Sequence, residues 1–166
     1  MFNRFLFLAS LLMLSVGFMA CEEADTDDGT QQVTAASYSG TLSVDQLDTT
    51  FYETDSVIVT IEPLTDSTEA VSTTHVRVVM HQVRFSPRMP IALDMTINEV
   101  AYVSGDNGVA LSGDSIVPVA MGGPFPTYII TNLQGVVKDN ELTLSMKCGR
   151  YPLTYSGSLL IEPASH

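Results

Sequence analysis

An all-β domain, an antiparallel up-and-down barrel of about eight strands, is the expectation from three features of these 166 residues. From residue 36 onward, apolar residues alternate with polar ones at period 2, in short runs bounded by turn residues. No convincing run of helical period exists outside the first 20 residues. The opening and closing runs also echo each other. Ser37-Tyr38-Ser39-Gly40-Thr41-Leu42-Ser43-Val44 and Thr154-Tyr155-Ser156-Gly157-Ser158-Leu159-Leu160-Ile161 both set Tyr, Gly, Leu and a β-branched residue on one alternating face. Such strands suit each other as partners, and pairing first with last closes a sheet and removes its edges.

Residues 1–20 read as a removable leader. Met1-Phe2-Asn3-Arg4 is short and positive, and Phe5 through Phe18 is apolar apart from Ser10, Ser15 and Gly17. Ala20 is a small residue before the cut. The apolar run is shorter than the roughly 20 residues of a spanning helix, and acids rather than Lys or Arg follow it. Phe18-Met19-Ala20-Cys21 resembles a bacterial lipobox, with Phe where Leu is usual. That resemblance implies a lipid (palmitate) on Cys21 as the anchor to the membrane. Several acyl chains on one residue suffice for stable anchoring.

Residues 21–35 form the lipidated Cys and an acidic tether without apolar period, expected to be disordered. Residues 22–69 hold 12 acidic and no basic residues, whereas residues 70–166 hold 7 acidic and 6 basic ones. The acids after Cys21 read equally as a solvated spacer or as the export signal of surface-exposed outer-membrane lipoproteins in Bacteroidota. Asp25, Asp27, Asp28 and Gly29 lack the further ligands of an EF-hand loop. A net charge of −12 without any basic run excludes nucleic acid as a partner.

The domain proper spans residues 36–166, with strands expected near 37–45, 55–63, 71–85, 91–104, 108–120, 127–137, 141–149 and 153–162. Val57, Val59 and Ile61 share one face, as do Ile91, Leu93, Met95 and Ile97. At Asn98-Glu99 the phase shifts to Val100 and Tyr102, which suggests a bulge. Asp106-Asn107-Gly108 marks a turn, and Asp139-Asn140 reads as the two-residue turn of a tight hairpin. Leu142, Leu144, Met146 and Cys148 lie on one parity. Cys148 then has no disulfide partner if Cys21 carries lipid, and it reads as a small buried hydrophobe.

The search for chemistry is short. No G-x-S-x-G elbow, Walker loop, G-x-G-x-x-G or H-E-x-x-H occurs, so no enzyme, no cofactor and no metal is expected. His75 and His81 are about 20 Å apart on one strand at 3.3 Å per residue, too far to share a metal. Arg77, Arg84 and Arg88 with these histidines form the one basic cluster, which reads first as balance for the acidic front and second as an anion site. Two proline-bracketed loops, Ser86-Pro87-Arg88-Met89-Pro90 and Gly122-Gly123-Pro124-Phe125-Pro126, each present one large apolar side chain. Met89 and Phe125 either line a barrel mouth, contact a partner, or fold inward as a plug. Met89, Phe125, Arg84 and Arg88 are therefore the ligand or partner candidates.

The chain resembles the calycin-like β-barrel lipoproteins of Bacteroidota over roughly residues 37–160. The matching features are Tyr38-x-Gly40-x-Leu42-x-Val44, the strand from Val78 to Phe85 running into Met89-Pro90-Ile91, Leu133 through Leu144, and Leu153-Thr154-Tyr155-Ser156-Gly157. The resemblance implies a small lipocalin-like barrel on a lipid tether and carries no shared activity. Two functions are expected from this reading. One is binding of a small apolar or amphipathic ligand in an interior lined by Val57, Val59, Ile61, Leu142, Leu144 and Met146. The alternative is a structural or adaptor module that meets another cell-envelope protein through its loops or outer face.

Overall fold

The computed structural model describes residues 33–65 and 70–161. Cys21, the expected leader at residues 1–20 and His166 lie outside these residues. The strands are β1 (Ala36–Asp45), β2 (Phe51–Thr65), β3 (Val71–Val83), β4 (Leu93–Gly105), β5 (Gly108–Gly113), β6 (Val119–Ala120), β7 (Gly123–Pro124), β8 (Ile130–Lys138), β9 (Glu141–Cys148) and β10 (Tyr151–Leu159). Eight of them form a closed antiparallel barrel in the order β1-β2-β3-β4-β5-β8-β9-β10, with β10 returning to β1. The two-residue strands β6 and β7 hang from β4 as an appended ribbon.

Alternation decides which residues face inward. Val57, Val59 and Ile61 are buried, as are Leu142, Leu144, Met146 and Cys148, while their sequence neighbours are wholly or partly exposed. Side chains alternate faces, so one parity fills the inside of each regular stretch, and it switches where a bulge interrupts β3, β4 and β8. The interior is packed by Tyr155, Phe85, Leu42, Met80, Met95 and Ile97, among others, and among the described residues no charged or polar residue is wholly buried, though the Thr54 hydroxyl oxygen is enclosed. Cys148 sits in this core with its thiol 3.9 Å from the Met95 sulfur and 3.6 Å from the Tyr128 carbonyl oxygen. Burial pushes its pKa up to about 12, so it is a filler and not a nucleophile.

Closure runs through the two echoing segments. Tyr38 pairs with Leu159, Gly40 with Gly157, Leu42 with Tyr155, and Val44 with Leu153. The two glycines meet because no side chain fits there: a Cβ on Gly40 would lie 1.9 Å from the Ser156 carbonyl oxygen. The bare backbone of Gly157 makes room for the ring of Tyr155, whose hydroxyl lies 2.9 Å from the Tyr38 carbonyl oxygen and 3.1 Å from that of Val57. One phenol thereby ties β10 to both β1 and β2.

Bulges shape the wall. Val76 pairs with Val100 and Val78 with Ile97, so Asn98 and Glu99 oppose Arg77 alone, as the phase shift at that point predicts. Glu99 has φ +58°, and Ser56, Gln82 and Asn132 take positive φ on β2, β3 and β8. Each turns a long strand around a corner of a narrow barrel. The hairpin at Asp139-Asn140 is as read, with φ +51° and +66°.

Two expectations are corrected. A single strand over 108–120 does not form. β5 ends at Gly113, because the chain turns at Asp114-Ser115, where Ser115 takes φ +56°. Residues 114–129 instead make a long connection carrying β6, β7 and a 3-10 turn at Pro126–Tyr128. Ile91 is 51 % exposed, because β4 begins only at Leu93, past the turn at Pro90.

Candidate functional site at the loop end of the barrel

Antiparallel order gives the barrel two different ends. The N-terminal end holds the start of β1, the end of β10 and the connections at 106–107 and 139–140. The opposite, loop end holds the connections at 46–50, 84–92, 114–129 and 149–150. The second set is larger and brings all four candidate side chains to one end of the molecule.

The floor of the loop end is aromatic. Phe85 is 1 % exposed and stacks on Tyr128 at 5.0 Å between centroids; Phe125 also stacks on Tyr128 at 5.0 Å. Met89 is half-buried and packs against the core. Gln46 donates from its side-chain amide to the carbonyls of Val44, at 3.2 Å, and Phe85, at 2.9 Å, which staples the β1–β2 connection to this plug. Met89 thus both packs against the core and lines the space above it, while Phe125 backs the aromatic floor through Tyr128.

Above the plug lies a cleft of about 630 Å³ lined by Gln46, Asp48, Thr50, Phe85 to Pro90, Tyr128, Arg150 and Tyr151. Arg88 and Arg150 are exposed within it. Arg150 lies over the Tyr151 ring, 4.9 Å from its centroid, and donates to the Tyr151 hydroxyl at 3.0 Å. Asp48 is the one carboxylate of the lining. Hydrogen bonds from the side chain and backbone N–H of Thr50 hold its pKa below the usual range, with a smaller contribution from the charge of Arg88. Tyr128 is pushed up, first by burial and then by the neighbouring Tyr151 phenol. Among the described residues the one ion pair is Arg77 with Glu62, at 3.4 Å, so Arg88 and Arg150 hold no carboxylate at ion-pair distance.

The other candidates are scattered. Arg84 is exposed at the start of the β3–β4 connection, outside the cleft lining. Arg77 stands on the wall, donating to Asn98 at 2.9 Å and to Glu62. His75 meets the Thr74 hydroxyl at 2.9 Å and His81 that of Thr60 at 3.1 Å. The structure thus divides the basic cluster, keeping Arg88 for the cleft. It adds Arg150, Tyr128 and Tyr151, which sequence reasoning passed over. The available signal was Gly149-Arg150-Tyr151 in a two-residue connection, which leaves Arg150 nowhere to go but out.

Gly149 fixes this corner. Its φ is +58°, its N–H donates to the Ile129 carbonyl at 2.9 Å, and a Cβ would lie 2.5 Å from the Thr127 carbonyl oxygen. Gly149→Ala is expected to cost about 1–2 kcal/mol, from strain at positive φ plus displacement of the Pro126–Tyr128 turn. Urea unfolding checks this; an unchanged midpoint refutes it.

A second concavity lies on the outer wall. Across β1, β10, β9, β8 and β5 the register aligns Thr41, Ser156, Thr143, Val136 and Ala110 in one row. Ser43, Thr154, Ser145, Gln134 and Ser112 form the next. These short side chains line a trough of about 860 Å³ that carries no charge.

Compared with protein-family models, with curated proteins and with solved structures, the chain matches none.

Proposed function

We propose that this chain is a lipid-tethered, extracytoplasmic lipoprotein of the cell envelope, anchored at Cys21 in the outer membrane, whose non-enzymatic barrel holds a small amphipathic ligand in its loop-end cleft. The observation that carries the reading is the contrast between the two spaces. The interior positions Val57, Val59, Ile61, Leu142, Leu144 and Met146 are packed against one another as core, while the loop-end cleft is open and combines guanidinium groups with Met89 and tyrosines. A ligand taken there needs no rearrangement of a close-packed interior. The cleft lies at the end away from the start of β1, so a tether leading into β1 presents it outward from the anchoring bilayer. The adaptor reading is favoured by one observation of its own, the uncharged trough across five strands, which suits a neutral partner surface.

Metabolic labelling of the full chain with an alkynyl palmitate tests the anchor. Label on the wild type that disappears in Cys21→Ser supports it, and an unlabelled wild type overturns it. Native mass spectrometry of the full chain released from membranes in detergent tests the rest. An adduct lost in Thr50→Trp, which fills the cleft, supports the ligand reading. An adduct lost only in Ser145→Arg assigns binding to the trough, and a bare mass overturns the ligand reading in favour of the adaptor one.

A further inference from the structure

We infer that the loop-end cleft is a site for an oxyanion with several oxygens, a phosphate or sulfate ester, whose charged head is held between Arg88 and Arg150 while its apolar part lies along Met89 and the flanking prolines. The inference rests on the ligand reading above and specifies its chemistry. Charge is the first argument. The chain carries a net −12, yet this cleft gathers two guanidiniums against a single carboxylate, Asp48. Neither guanidinium has a carboxylate at ion-pair distance among the described residues. Their positive potential is therefore available to a ligand, and a guanidinium fork matches the oxygens of phosphate or sulfate.

The second argument is the number and placement of donors. Arg150 is held by its bond to the Tyr151 hydroxyl and by that ring's face, so it is pre-aimed at low entropic cost. The Tyr128 and Tyr151 phenols line the same cleft as Arg150. Arg88 comes from the β3–β4 connection on the other chain segment. Two guanidiniums and two phenols exceed what a carboxylate's two oxygens need and fit a tetrahedral head with three free oxygens. The third argument is the wall: Pro87, Met89 and Pro90 give a stiff, apolar side on which an ester group can lie.

One class of head has two sources, a soluble ester or a lipid headgroup. Isothermal titration of the full chain in detergent with phenyl phosphate, inorganic phosphate and phenylacetate is the first arm. Flotation with phosphatidylcholine vesicles, with and without phosphatidic acid, is the second. Phenyl phosphate is expected to bind, with phenylacetate weaker. Arg88→Met and Arg150→Met are each expected to lower affinity about ten-fold, whereas Asp48→Asn is expected to raise it. Both arginines are exposed, and thermal melting confirms that the variants remain folded. Flotation that rises with phosphatidic acid over phosphatidylcholine alone, without binding to phenyl phosphate, assigns the head to a lipid, and the reverse assigns it to a soluble ester. Affinity indifferent to both arginine variants, or no binding in either arm, overturns the inference. A cleft-dependent adduct of a neutral molecule in native mass spectrometry then leaves the ligand reading standing alone.

Discussion

Replacing Gly40 with alanine is expected to cost about 3 kcal/mol or more, near the upper end for overpacking. The added Cβ would lie 1.9 Å from the Ser156 carbonyl oxygen and 2.3 Å from the Gly157 Cα. Both are backbone atoms of β10, so no side-chain rotation relieves the contact. The β1–β10 ladder must open instead, and with it the pairs from Tyr38–Leu159 to Val44–Leu153 that close the barrel. Gly105→Ala is the matched control: nothing lies within 4 Å of its Cβ position. It is expected to be neutral or slightly stabilising, since alanine narrows the unfolded ensemble. Urea midpoints of the two variants decide the matter; equal midpoints would remove the seam from the account of stability.

Alkaline pH is expected to unfold the barrel through two buried acids. Burial raises Cys148 from its ordinary 9.0 to about 12, and Tyr155 from 10.0 to about 12. In each case the folded state binds the proton more tightly than the unfolded state. The stability tied to that proton is complete below the unfolded pKa and is lost as pH rises through the window to the folded value. That window is 9.0 to about 12 for Cys148 and 10.0 to about 12 for Tyr155. Each group contributes a slope of up to about 1.4 kcal/mol per pH unit inside its window. Stability is therefore expected to hold to about pH 9 and then fall steeply. Cys148→Ala should flatten the fall from its start and Tyr155→Phe only above pH 10. Tyr155→Phe also removes the hydroxyl shared by the carbonyls of Tyr38 and Val57, at a cost of about 1–3 kcal/mol at neutral pH. Curves of wild type and variants that run parallel from pH 8 to 12 would place the alkaline loss elsewhere.

Period-2 alternation made most of the wall readable in advance. A strand half-buried on one face writes its orientation into every second residue, as in Val57-Ile58-Val59-Thr60-Ile61 and Leu142 through Cys148. Local turn chemistry placed the Asp139-Asn140 hairpin, and a change of parity placed the bulge at Asn98-Glu99. Even closure was legible, because two strands that must tolerate each other at a Gly–Gly contact carry the same motif. The stretch 114–120 misled for the same reason that the others succeeded. Ile116, Pro118 and Ala120 alternate as strand residues do, yet the chain here makes one isolated bridge from Ile116 to Ile130 and then, at Val119-Ala120, a two-residue pairing with β4 in place of a continued β5.

The cleft was half legible. Arg88 and Met89 stand in one proline-bracketed loop, where stiffness and exposure are local properties. Arg150, Tyr128 and Tyr151 join them only because strand lengths and register carry four separate connections to one end. No local pattern reports that convergence. Phe125 was noticed as an apolar side chain on a stiff loop, but its use as a stacking support behind Tyr128 is a tertiary fact.

The closing seam has a consequence for how the molecule is made. The bond from Tyr155 to Tyr38 joins residues 117 apart in sequence. The strand formed first during synthesis therefore waits for the last one before its second edge is satisfied. Neighbouring hairpins can zip up early, but the ring cannot shut until nearly the whole domain is free to fold. Such non-local closure makes for slow folding and leaves two open edges exposed meanwhile. It also sets the two ends of the domain side by side, so a short linker from Leu159 to Ala36 with new termini at Asp139-Asn140 would make the β1–β10 seam a local hairpin and move the late closure to β8 and β9.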